Sequence, residues 1–246
     1  MMTELTEQQV RIDLAACYRL CSFEGWDDLI YTHISATVPN EPEHYLINPF
    51  GLQFNEITAS NLVKVNSRGE MIDSDSKFSV NPTGFAIHGA IHRARPDANC
   101  VMHLHNTAGI AVSAQKHGLL PLSQHALRFA YHLGYYDYEG VALSVAEGER
   151  LTQSLGRHPA MLLRNHGTLT VGRTVAEAYV LMATLIKACE IQIAALSAGS
   201  QNLQLPTQAV IQKASAELHA DGAEEGVLEW PALLRMLDQI DPSYQL

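Results

Sequence analysis

The chain has 246 residues, 47% hydrophobic and 17% charged, with a formal net charge of −10 at neutral pH. That length is long for one α/β domain and short for two, and the composition excludes a disordered polymer. The acidic balance, with no basic run, gives no footprint for nucleic acid.

The start, MMTELTEQQ, is polar and acidic and lacks the basic and apolar regions of a signal peptide. No apolar run of membrane-spanning length is apparent, so no membrane association is expected and a cytoplasmic protein is the default. Thr6-Glu7-Gln8-Gln9 is a capping box that predicts a helix, with Val10, Leu14, Cys17 and Cys21 at helical spacing and Gly25 as its end. Those cysteines, with Cys100 and Cys189, form no CxxC pair and read as reduced core residues. LIYTHISATV (29–38) is β-branched and aromatic and reads as a strand with Tyr31, His33 and Ser35 on one face. HYLINPFG (44–51) reads as a short strand running into a Pro/Gly turn. LVKVN and MID, separated by Ser67-Arg68-Gly69, read as a hairpin.

TGFAIHGAIHRARP (83–96) predicts a helix that stops before Pro96, followed by a strand over NCVMHLH (99–105) and a short helix from Thr107. Pro121 to Tyr138 shows no clean period. GVALSV (140–145) reads as a strand, and Ser144-Val145-Ala146-Glu147 as the capping box of a helix to Gly156. AMLLRNHGTLTVG (160–172) reads as a strand, a bend at His166-Gly167 and a second strand. Thr174-Val175-Ala176-Glu177 caps the longest helix, with Val175, Tyr179, Met182, Ile186, Cys189 and Ile193 as its apolar stripe. Residues 199–208 read as a linker to two further helices, which sets a main domain at 1–203 and a helical extension at 204–246. The strands pair through local turns as often as across helices, which favours a mostly antiparallel sheet with helices on its faces. No glycine-rich phosphate loop is present.

CVMHLHN (100–106) raises the question of chemistry. Side chains alternate along a strand, so His103 and His105 share a face opposite Cys100, Met102 and Leu104. Two such rings can meet one ion at about 2 Å from each nitrogen. Two solvated histidines would give the same pattern. His166, at a strand end before Gly167, is a candidate third ligand, and three histidines leave the open position that a catalytic metal needs. His88 and His92 form a rival pair, four apart on a helix, but lack the glutamate of an HExxH motif.

HGAIHRARPDANCVMHLHNTAGIAVSA, followed by LLRNHG, together with the YDYEG segment, resembles the class II aldolase/adducin head-domain family over roughly residues 6–200. The resemblance implies a three-layer α/β/α fold with a central, mainly antiparallel sheet. It implies a divalent metal, most often zinc, on His103, His105 and His166, and tetramers with sites at subunit interfaces. In the family's sugar-phosphate aldolases a Glu acts as general acid/base; its position here is Gly84. The neighbouring hydroxyl pair falls on Pro82 and Thr83, the phosphate-site Asn on His33, the phosphate-site Thr on Phe50, and a Tyr from a neighbouring subunit near His125. The ligands carry over while the acid/base and most of the phosphate cradle do not. GFAIHGAIHRARPD, GLLPLSQHALRF and LRNHGTLTVG look closer to the adducin-like branch, whose animal members use this domain to oligomerise in a cytoskeletal protein.

A carbonyl reaction still needs a proton carrier. The candidates are His125, Tyr131 and His33, with His132 and Tyr136 behind them; Gly51, Thr83, Gly84 and Arg128 are expected at the substrate. Arg128 either holds a substrate carboxylate or pairs with an acid. Three functions are therefore expected of the chain. The first is a metal-dependent lyase or related carbonyl enzyme on a small hydroxy acid or sugar without a strict phosphate requirement, as a homo-oligomer and favouring a tetramer. The second is a non-catalytic adducin-like scaffold. The third is a sugar-phosphate aldolase with an altered phosphate site.

Overall fold

A computed structural model describes residues 5–72, 79–140, 145–220 and 225–246. Helix α1, Glu7–Phe23, opens where the capping motif predicts, with the Thr6 hydroxyl accepting from the Gln9 backbone N–H at 3.2 Å. The return arm of the box is not made, because the Gln9 side chain donates to Asp13 instead. Gly25 ends the helical stretch at φ +69°, a left-handed conformation that glycine adopts freely.

The strands are β1 His33–Val38, β2 Glu41–Ile47, β3 Val63–Asn66, β4 Cys100–Leu104, β5 Leu133–Tyr136, β6 Ala160–Leu163 and β7 Gly167–Gly172. They form one sheet in the order β3-β2-β1-β4-β7-β6-β5. Every neighbouring pair is antiparallel except β5 and β6. The other helices are α2 Pro82–Ala94, α3 Thr107–Ser113, α4 Gln124–Leu127, α5 Val145–Leu155, α6 Val175–Leu196, α7 Gln208–Leu218 and α8 Glu229–Ile240.

Strand alternation divides the core into layers. Cys100, Met102 and Leu104 of β4 pack against α1, α6 and α8. Val101 points the other way, onto a cluster built with Ile87 and Ile91 of α2 and Leu151 and Leu155 of α5. The three-layer α/β/α architecture follows, with helices covering both faces of a mainly antiparallel sheet.

Some local expectations change. Leu29 and Thr32 have φ values of +54° and +66°, so residues 29–32 turn, β1 starts at His33, and Tyr31 lies outside it. The aperiodic stretch 121–138 holds the short α4 and strand β5. Most of the strand expected at 140–145, and the Ser144 cap, fall outside the described residues. Helix α6 is, by length and composition, apolar enough to cross a membrane, with a mean hydropathy of 1.5 over its most apolar stretch. It instead packs Tyr179, Met182 and Ile186 into one core cluster and Leu181, Leu185 and Cys189 into another. Ile193 at its end is exposed rather than part of the buried stripe.

The segment after the linker is tied to the main core. Trp230, Leu237 and Tyr244 join the α1 cluster. Trp230 Nε1 donates to Asp13 at 3.0 Å, and Arg19 reaches Asp241 at 3.0 Å.

Candidate metal centre

The register of the sheet assembles the site. β7 runs beside β4 with Leu169 opposite His103 and Thr168 opposite Leu104. The turn that precedes β7 therefore lies at the end of β4 that carries the histidine doublet. Asn165 bends that turn with φ +57°. Gly167 then lets it approach: a Cβ there would sit 2.5 Å from the Leu104 carbonyl oxygen, 3.2 Å from His103 and 3.3 Å from His105.

The result is that ligand nitrogens of His103, His105 and His166 lie within 4.8 Å of one another. Their ring centroids are 4.8–5.0 Å apart. The outer nitrogens decide what faces inward. His103 Nδ1 lies 3.1 Å from the Thr168 carbonyl oxygen, and His105 Nδ1 lies 3.0 Å from an Asp28 carboxylate oxygen. Both partners only accept, so each Nδ1 carries a proton and donates it. The two Nε2 atoms are 3.1 Å apart. Two bare lone pairs at that distance repel unless a cation lies between them. A proton would relieve the pair alone, whereas a metal ion also uses His166. Tetrahedral zinc with bonds near 2.0–2.1 Å sets its ligand nitrogens about 3.3 Å apart, which this spacing suits.

Protonation favours the same use. Burial, then the neighbouring His166 and His105 rings, holds His103 well below the usual imidazole range. Burial, then His105, pushes His166 down to about 4. Metal ligation requires deprotonated rings. The three residues thus fit a divalent ion, and Asp28 and the Thr168 carbonyl supply the outer hydrogen bonds that metal-binding histidines use to fix their tautomers.

The remaining candidates divide into two groups. His33 is the strand partner of His103, and the two rings are 5.8 Å apart. Burial, then His105 and His166, pushes His33 down to about 3. The rival pair is engaged elsewhere: His88 Nδ1 and His92 Nε2 both bond to Ser35 Oγ, at 2.7 Å each.

On the α7 side, His125 and Arg128 line a cavity of about 830 Å³ whose walls include none of His103, His105 and His166. Arg128 pairs with Glu225 and donates to the Leu218 carbonyl, while its Nε is buried without a partner among the described residues. The Tyr131 hydroxyl accepts from Gln208 of α7, and His132 stacks on His219 at 3.8 Å. Gly51 sits in the turn after β2 at φ +108°, and a Cβ there would meet open space. Thr83 and Gly84 belong to the first turn of α2, and the surroundings of their side chains lie outside the described residues. Tyr138, half exposed, meets the His166 ring edge-on at 6.1 Å.

The family described as Class II Aldolase and Adducin N-terminal domain matches residues 12–193. Alpha-adducin of Rattus norvegicus is 42% identical over 247 residues, covering 95% of this chain and 34% of that protein, so the chain spans about a third of the adducin. An aldolase II superfamily protein from Pseudomonas syringae superposes with a TM-score of 0.95 at 48% identity, over 100% of this chain and 98% of the other. An L-fuculose 1-phosphate aldolase from Glaciozyma antarctica PI12 gives a TM-score of 0.84 at 28% identity, over 97% and 92% of the two chains.

Proposed function

The chain belongs to the class II aldolase and adducin family, and from that premise we propose that it is a metal-dependent carbonyl enzyme, a lyase or close relative, acting on a small hydroxy acid or sugar. The observation that carries this reading is the convergence of His103, His105 and His166 with their outer nitrogens already held by acceptors. Zinc is the proposed ion. When bound, it would polarise a substrate carbonyl and stabilise the enediolate that retro-aldol cleavage, epimerisation and decarboxylation share, by several kcal/mol.

The chain's own residues supply the rest. The Thr168 carbonyl and Asp28 orient two of the ligand rings. His33, beside His103, is proposed as proton carrier; a neutral imidazole has a bare nitrogen to take a proton and an N–H to return one. His125 and Tyr131 are assigned to the site of a neighbouring subunit, in the tetramer proposed for the protein. Gly51, Thr83 and Gly84 are proposed substrate contacts, and the absence of a Glu at position 84 argues against phosphosugar cleavage by the usual acid/base. A cytoplasmic location completes the reading.

A second reading has its own support. The similarity to alpha-adducin spans 95% of this chain, which favours a non-catalytic oligomerising scaffold. Metal analysis of protein purified without chelators separates the two, combined with a panel of sugars and hydroxy acids, free and phosphorylated. About one divalent ion per chain and chelator-sensitive turnover are expected. No ion and no turnover would favour the scaffold. Turnover confined to phosphorylated sugars would favour a phosphosugar aldolase.

A further inference from the structure

Beside the three histidines lies a polar corner whose hydrogen bonds are incomplete. Ser35 Oγ lies 2.7 Å from both His88 Nδ1 and His92 Nε2, and His92 Nδ1 lies 2.7 Å from the Ala98 carbonyl oxygen. For neutral rings, this series admits one arrangement of protons. The Ala98 carbonyl only accepts, so His92 carries its proton on Nδ1 and its Nε2 is bare. Ser35 gives its single hydroxyl proton to that nitrogen. The Ser35 oxygen then accepts from His88 Nδ1–H, which leaves His88 Nε2 as a bare acceptor.

That acceptor is buried without a partner among the described residues. His33 stacks on His88 at 4.7 Å, and both of its ring nitrogens are equally buried and unpartnered. The hydroxyl of Thr32, the preceding residue, is in the same condition. His88, Thr32 and His33 are 0%, 5% and 6% exposed. Orphaned buried polar atoms are costly and scarce in native proteins. Three of them, on His88 and on the His33 ring that stacks on it and neighbours His103, mark a place where a polar group completes the bonding.

The chemistry of the orphans specifies the group. His88 Nε2 can only accept. A neutral His33 offers one donor and one acceptor. A ligand hydroxyl can give its one proton to His88 Nε2 while accepting from the His33 N–H, so it bridges the two rings. A phosphate dianion only accepts, and it would set negative charge against a bare nitrogen.

We propose that this corner receives a free hydroxyl of the substrate, and that the Ser35 relay, by holding His88 as an acceptor, selects unphosphorylated hydroxy compounds over their phosphate esters. The selection rests on the metal-dependent reading above. Ser35 and His92 are positioning residues; His33 and His88 touch the substrate.

Two measurements on the full chain test it. Side-chain nitrogen NMR of the protein without metal or ligand reads the tautomers. Nδ1–H with bare Nε2 is expected at both His88 and His92, and Nε2–H at His88 overturns the relay. Calorimetry of zinc-loaded protein then compares glycolate with 2-phosphoglycolate. Glycolate is expected to bind about tenfold more tightly, and Ser35→Ala to shrink that ratio several-fold with zinc content unchanged. Equal affinities, a preference for the phosphate ester, or the same ratio in Ser35→Ala overturns the proposed selection. Should Ser35→Ala fail to fold, the tautomers and the parent's ratio still decide. A parent that holds no zinc overturns the metal reading and the selection together, while the tautomer result stands on its own.

Discussion

At the scale of single residues, Gly167 is where one added carbon matters most. A Cβ at that position would press to 2.5 Å from the Leu104 carbonyl, a backbone atom that cannot swing aside. Gly167→Ala is expected to lower stability by about 1–3 kcal/mol and to weaken metal binding, read by urea unfolding and chelator competition. An unchanged midpoint with unchanged affinity would contradict the close approach. Asp28→Asn should cost roughly 10–100-fold in metal affinity with little effect on fold, because it weakens the outer hydrogen bond to His105. His166→Ala should reduce bound metal at least as much as His103→Ala; full occupancy in the His166 variant would remove it from the ligand set. The doublet was legible because its spacing of two matches the strand period. Asp28 was not, since it lies in an aperiodic turn that the β-branched residues after it disguised as strand. His33 was legible as a candidate, and Ser35 shares its strand face, yet His88 meets both only through the packing of α2 on the sheet.

At the scale of elements, periodicity read well wherever a segment buries one face. α1, α2, β4, the β6–β7 pair and α6 fall close to their expected positions. The cap at Thr174 is made, with its hydroxyl accepting from the Glu177 N–H at 3.0 Å. Segments shaped by long-range contacts read poorly. β5 pairs in parallel with β6, and its neighbour α4 packs on α6 and α7, so no local pattern marks either. The two C-terminal helices fall where the sequence puts them after the linker, but no local pattern marks where they pack: α8 completes the hydrophobic cluster around α1. Deleting residues 204–246 would strip Trp230, Leu237 and Tyr244 from α1, each worth about 1.5–3 kcal/mol of apolar burial. The shortened chain is expected to lose cooperative unfolding or solubility. A cooperative melt at the parent midpoint would show that the helices contribute little to this core.

At the scale of the whole molecule, the buried histidines couple folding to pH. Burial chiefly pushes His92 from its ordinary 6.5 down to about 4, although its bond to the Ala98 carbonyl opposes the shift. The unfolded chain takes up this proton near pH 6.5 while the folded chain resists until about pH 4. Stability is therefore full above pH 6.5 and falls as pH drops through that window, by a total on the order of 3 kcal/mol from this residue alone. Urea midpoints at pH 7 and pH 5 check the sign, and His92→Gln should shrink the difference by this residue's share, leaving that of the other buried histidines. A parent protein more stable at pH 5 than at pH 7 would contradict it.

The central claim is that three rings, from the end of β4, the residue that follows it and the β6–β7 turn, share one ion, and X-ray absorption at the zinc edge on the purified, metal-loaded protein tests it most directly. The account predicts three imidazole nitrogens at about 2.0–2.1 Å, falling to two in His166→Ala. A zinc shell without three imidazoles, or one unchanged by that substitution, would contradict it.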